Sequence, residues 1–132
     1  MKTEVFWLAI TAMMTGLMFV PYVLDRFVVR GIPGTLANPS PSDRPHHAWA
    51  ERALRAHQNA VENLVVFAAL VAAAEFAGVG STLTATGCAL YFWARLVHYV
   101  VYTLGIPVLR TLAFVAGVVG EVLIAIALLH AM

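Results

Sequence analysis

The stretch ERALRAHQNAVEN, residues 51–63, runs without a glycine or proline into LVVFAALVAAAEFA. It is one helical pattern, polar in its first turns and apolar in the rest. At about 100° per residue, Arg52, Arg55, Asn59, Glu62 and Asn63 fall within roughly a 100° arc of one face. Two cations, a carboxylate and two amides therefore line a single stripe as the helix enters an apolar medium. Lipid cannot solvate such a stripe, so it must face protein, a water-filled cavity or a polar ligand. This stripe is the candidate site.

The composition supplies the apolar medium. Of 132 residues, 61% are hydrophobic and only 11% charged, against about 25% charged in a soluble domain. The chain reads as an integral membrane protein. A net charge of +1 with no basic run excludes nucleic acid as a partner. The single cysteine, Cys88, lies in an apolar segment, which leaves no disulfide framework or multi-cysteine metal site and marks it as a small core residue. The N-terminal apolar run Val5–Leu24 is long enough to cross a core of about 30 Å and longer than an ordinary signal-peptide core. With no clear small-residue cleavage site behind it, it reads as a retained first transmembrane helix.

Four helices are expected, at about 4–28, 46–76, 82–104 and 108–130. Asp43 before Pro45 is a candidate cap for the second, and Ser81 for the third. Gly105-Ile106-Pro107 separates the last two. Short second and third connections give an all-α, up-down-up-down bundle in one domain, residues 1–132, with no internal repeat. The first connection and its borders carry Arg26, Arg30, Arg44, Arg52 and Arg55, and Arg110 lies beside the third, whereas the second has no Lys or Arg. The positive-inside rule makes the first and third loops cytoplasmic. The Ala/Val/Gly-rich composition suits a bacterial inner membrane.

The third helix places Tyr91, Arg95, His98 and Tyr102 within roughly a 60° arc. Facing lipid at the bilayer centre, Arg95 would cost about 2.5–3.5 kcal/mol. It needs a partner, and Glu62 on the second helix is expected at a matching depth, either as a packing ion pair or as a pair that also borders a ligand. His98 and His57 do not amount to a metal site, because no HExxH, carboxylate–His cluster or thiolate set accompanies them. His46 and His47, at a loop–helix junction, are expected to be solvated. Arg110 is either a cytoplasmic anchor or an immobilised guanidinium that holds an anion. Glu121 is expected near the bilayer middle on the same helix face as Arg110. There it is protonated, paired across an oligomer interface, or buried and hydrogen-bonded.

Arg55-Ala56-His57-Gln58-Asn59-Ala60-Val61-Glu62-Asn63, with Arg95-x-x-His98-x-x-x-Tyr102 and then Arg110, resembles the membrane-associated proteins in eicosanoid and glutathione metabolism (MAPEG). The second-helix signature of that family is R-A-[HQ]-x-N-x-x-E, and the resemblance covers essentially the whole chain. It implies a homotrimer in which glutathione binds as co-substrate between subunits near the cytoplasmic face. The implied ligand contacts are Arg52, Arg55, Asn59, Glu62, Arg95, His98 and Tyr102. Arg110 is the implied stabiliser of the glutathione thiolate, which would attack a small lipophilic electrophile arriving from the bilayer. Arginines suit the two carboxylates of glutathione and a glutamate its ammonium group. Asn63 and Phe114 stand where some members carry tyrosine, and Gln58 where the prostaglandin branch has arginine, which argues against eicosanoid specificity. The expectation is a glutathione-dependent membrane transferase or peroxidase. The alternative is a non-catalytic protein that keeps the scaffold for packing or for another ligand.

Overall fold

A computed structural model describes residues 1–132 as an all-helical bundle with no strand. The helices are α1 (Thr3–Leu17), α2 (Val20–Leu36), α3 (Ala48–Phe76), α4 (Thr82–Leu104) and α5 (Pro107–His130). α1 and α2 together make one long apolar span, Thr3–Leu36, and α3 and α5 are also long and apolar enough to cross a membrane. α4 is not among the helices with so apolar a window. It packs against α1, α3 and α5 and buries Thr84, Arg95 and His98.

The directions of the helices follow from pairs of contacts. Trp7 meets Phe92 and Tyr99 reaches Met18, so α1 runs parallel to α4. Arg52 bonds Thr103 while Asn59 bonds Arg95, so α3 and α4 are antiparallel. Gly120 faces Gly87 while Gly117 faces Arg95, which makes α4 and α5 antiparallel as well. The result is the up-down-up-down bundle.

The first helix, expected to be unbroken, is interrupted at Met18–Phe19. Pro21 has no N–H to bond the carbonyl four residues back, and its ring crowds that carbonyl. The polar backbone exposed at the break finds partners in the bundle: the Tyr99 hydroxyl donates to the Met18 carbonyl at 2.9 Å. The chain then stays helical to Leu36 apart from a kink at Gly31, whose φ of 67° is open to glycine at little cost.

The start of α3 also departs from expectation. Asp43 is not its cap. That carboxylate instead accepts from the Ser40 backbone N–H at 2.9 Å and pairs with Arg30 at 3.5 Å. The anion at the α3 N-terminus comes from α2. Asp25, 4% exposed, accepts from the His47 N–H at 3.0 Å and lies 2.6 Å from His47 Nδ1 and 3.4 Å from His46 Nδ1. His46 and His47 are thus not simply solvated. A carboxylate here satisfies a free helix N–H and complements the positive end of the α3 dipole.

The tightest packing is between α4 and α5. A Cβ built on Gly120 would lie 2.6 Å from the Gly87 carbonyl oxygen, and one on Gly87 would lie 2.7 Å from the Gly120 carbonyl oxygen. The two backbones touch, as small residues allow in membrane bundles. Below this crossing Phe67 stacks on Tyr91 with ring centroids 4.0 Å apart, in a core that also holds Val71, Ala74, Cys88 and Ile124. α4 starts with a reciprocal cap: Ser81 Oγ accepts from the Thr84 N–H, and Thr84 Oγ1 from the Ser81 N–H.

Two outcomes are expected in thermal unfolding of the detergent-solubilised protein. Gly120→Val forces α4 and α5 apart and lowers stability by about 1–3 kcal/mol. Asp25→Ala leaves the His47 N–H and the His47 imidazole without their acceptor and costs about 1–3 kcal/mol.

Candidate functional site

The polar stripes of α4 and α5 meet rung by rung. At the α4 C-terminus, the Arg110 guanidinium lies over the Tyr102 ring, 4.5 Å from its centroid. One turn deeper, His98 is edge-on to Tyr102 at 5.5 Å and 6.2 Å from the Phe114 ring. Next, the Arg95 guanidinium lies 5.8 Å from the Phe114 centroid, and its Cδ is 3.4 Å from where a Cβ on Gly117 would stand. α3 closes the third side, where Asn59 Oδ1 accepts a hydrogen bond from Arg95 Nη2. These side chains project together because α3 and α4 repeat their polar residues every three or four positions, and Gly117 leaves room for the longest of them.

Between them opens a cavity of about 280 Å³ lined by Asn59, His98, Tyr102, Arg110, Thr111 and Phe114. It is polar on most sides and wide-mouthed, at the end of the bundle where α4 stops and α5 begins. Of the residues singled out from the sequence, Asn59, His98, Tyr102 and Arg110 line it directly. Arg95 lies behind Asn59, buried. No carboxylate lies within 4.0 Å of Arg110. An unpaired guanidinium on an aromatic face at the mouth of a polar cavity suits an anionic ligand.

Three expected residues lie elsewhere. Arg52 donates through Nε to the Thr103 carbonyl at 2.9 Å and lies against Gly105, the left-handed cap of α4 with φ 79°. It satisfies a carbonyl at the α4 C-terminus, where a cation is also favoured by the helix dipole. Arg55 is exposed and touches only Glu51, at 3.5 Å. Glu62 is exposed as well, and it does not pair with Arg95 within the chain. The two lie on different faces: Arg95 is 2% exposed in the bundle interior, whereas Glu62 looks outward beside Val61, Val65 and Val66. The expected Arg95–Glu62 ion pair is replaced by the Arg95–Asn59 hydrogen bond.

Thr111 and Phe114 complete the lining. Thr111 gave no sequence signal because a single hydroxyl next to Arg110 reads as an ordinary first-turn residue. Only the antiparallel packing of α4 and α5 brings it to the cavity. His57, inside the second-helix signature, points away from the cavity to α2, with Nδ1 2.9 Å from the Tyr22 hydroxyl. Its role is to tie α3 to the first helix near the Pro21 break. No group of three or more His, Cys, Asp or Glu side chains is placed to hold a metal ion.

The sequence model of the MAPEG family matches residues 5–130, and the chain belongs to that family. Its four-helix membrane bundle is the fold of the family. No curated protein matches the chain.

Arg52→Ala is expected to remove the Thr103 bond and uncover the α4 cap, lowering stability by about 1 kcal/mol. Thermal unfolding would read the loss. An unchanged melting temperature would show that the α4 terminus does not need Arg52.

Proposed function

We propose that the protein is a glutathione-dependent membrane transferase or peroxidase acting on small lipophilic electrophiles. The observation that carries this reading is the cavity formed by Asn59, His98, Tyr102 and Arg110, with the Arg110 guanidinium unpaired above the Tyr102 ring. Family membership supports it, since many MAPEG members are glutathione-dependent enzymes.

Glutathione binds here as co-substrate, and Arg110 stabilises its thiolate. A thiol with an ordinary pKa of about 8.5 ionises at lower pH beside a cation, which raises the nucleophilic fraction at neutral pH. The thiolate then attacks an electrophile that reaches the cavity laterally from the bilayer. No protein nucleophile is required, in keeping with Cys88 being buried far from the cavity lining. Arg55 and Glu62, exposed on a face with Val61, Val65 and Val66, complete the site from the side of a neighbouring copy. A carboxylate on an apolar transmembrane face calls for a protein partner, and a homotrimer supplies one. The arginine-rich end, with Arg26, Arg30, Arg44, Arg52 and Arg110, is cytoplasmic, and the membrane is a bacterial inner membrane.

A second reading, a non-catalytic scaffold that binds another ligand or serves a structural role, draws on Phe114, which brings no hydroxyl to the cavity. The two readings part on one experiment. In solubilised protein titrated with glutathione, thiolate absorbance is expected with a midpoint below pH 8.5, and conjugation of a generic aryl halide accompanies it. Arg110→Ala is expected to abolish the absorbance and lower conjugation about a hundredfold. No binding at millimolar glutathione, or activity unchanged in Arg110→Ala, removes the enzymatic reading.

A further inference from the structure

The ladder between α4 and α5 does not end at Arg95. Tyr91, one turn deeper on α4, is 1% exposed, and its Cβ lies 3.2 Å from where a Cβ on Gly120 would stand. Glu121 follows Gly120 and lies one turn beyond Gly117, the two glycines that face Tyr91 and Arg95. Three polar atoms on this part of α4 and α5 are buried without a hydrogen-bond partner: Tyr91 Oη, Arg95 Nε and Glu121 Oε1. One is a donor, one an acceptor and one can be either, so together they complement one another. In a bilayer none can be satisfied by lipid.

The charges lead to the same place. A buried guanidinium at this depth requires a counter-charge, and the chain has seven acidic residues. Asp25 is held by His46 and His47, Asp43 by Arg30, Glu51 by Arg55 and Glu75 by Lys2. Glu4 accepts from Thr84 at the far end of the bundle, and Glu62 faces outward. Glu121 is the carboxylate left, one turn along α5 from the Gly117 that faces Arg95, and the two charged groups lie more than 4.0 Å apart.

We infer that Glu121 is the counter-charge of Arg95 and a positioning residue for the cavity above it. Neither residue reaches into the cavity, yet Arg95 Nη2 holds Asn59 Oδ1, and Asn59 is part of the lining. Glu121 fixes the guanidinium from one side so that the other side orients the amide. A bridging water between Arg95 Nε, Glu121 Oε1 and the Tyr91 hydroxyl satisfies all three atoms at once. In its effect on ligand binding the inference rests on the glutathione reading. The charge pairing itself does not.

The test is a double-mutant cycle on Arg95→Gln, Glu121→Gln and the double variant in bilayer nanodiscs, read by thermal unfolding and by calorimetric titration with glutathione. Neutralising either member is expected to lower the melting temperature, and the double variant is expected to lose clearly less than the sum of the two. Glutathione affinity is expected to fall about tenfold in Glu121→Gln and to recover in Glu121→Asp, which keeps the charge. Additive losses overturn the pairing. So does a Glu121→Asp variant that behaves like Glu121→Gln, including one that fails to assemble with it. Non-additivity between Arg95→Gln and Glu62→Gln instead would assign the counter-charge to Glu62. If wild type binds no glutathione, the enzymatic reading fails while the unfolding cycle still decides the pair.

Discussion

A guanidinium cannot be left in hydrocarbon, and the arrangement of this bundle depends on where Arg95 goes. The helix that carries it turns its polar face, with Arg95 and His98, inward against its neighbours and leaves Trp93, Val97 and Val100 outside. The other helices likewise turn valines and leucines outward, such as Val65, Leu112, Val119 and Leu129. The ordering is a sorting by solvation: each helix sits where its least soluble groups are covered.

Close contact between α4 and α5 then converts a buried cation into a site. Because Gly87 and Gly120 bring the two backbones together, the polar stripe of α4 lies directly on α5, and its members meet Arg110, Phe114 and Gly117 in turn. A wider separation would give lipid-filled space where this ladder stands. The cavity is the top of the ladder, where the helices end and Arg110 has no carboxylate beside it. Packing, more than any single residue, makes that cation available.

The connection between α2 and α3 follows similar logic. Proline at position 21 breaks the first helix, and the structure responds with hydrogen bonds from other helices: Tyr99 to the Met18 carbonyl and Tyr22 to His57. Asp25 reaches across to the His47 N–H at the start of α3. These bonds fix the tilt of α3 and, through it, the place of Asn59. Two residues of the second-helix signature thus divide the work, His57 anchoring the helix and Asn59 facing the cavity.

The sequence by itself determined the membrane class, the helical pattern and the periodic stripes, because these depend only on composition and on side-chain repeat along one helix. It also marked Asn59, His98, Tyr102 and Arg110, since polar residues at helical spacing in an apolar run have few places to go. Tertiary structure decided the partners. Arg52 and Asn59 share a stripe, yet one caps α4 and the other lines the cavity, because the α4 terminus meets only the first turns of α3. Glu62 and Arg95 match in depth but not in face, and depth was all that residue counting could supply. Asp25 bonding the start of α3 and Thr111 joining the lining depend on how separate helices are rotated and how closely they approach. That information is set by the Gly87–Gly120 contact and the break before Pro21, which no single helical stripe contains.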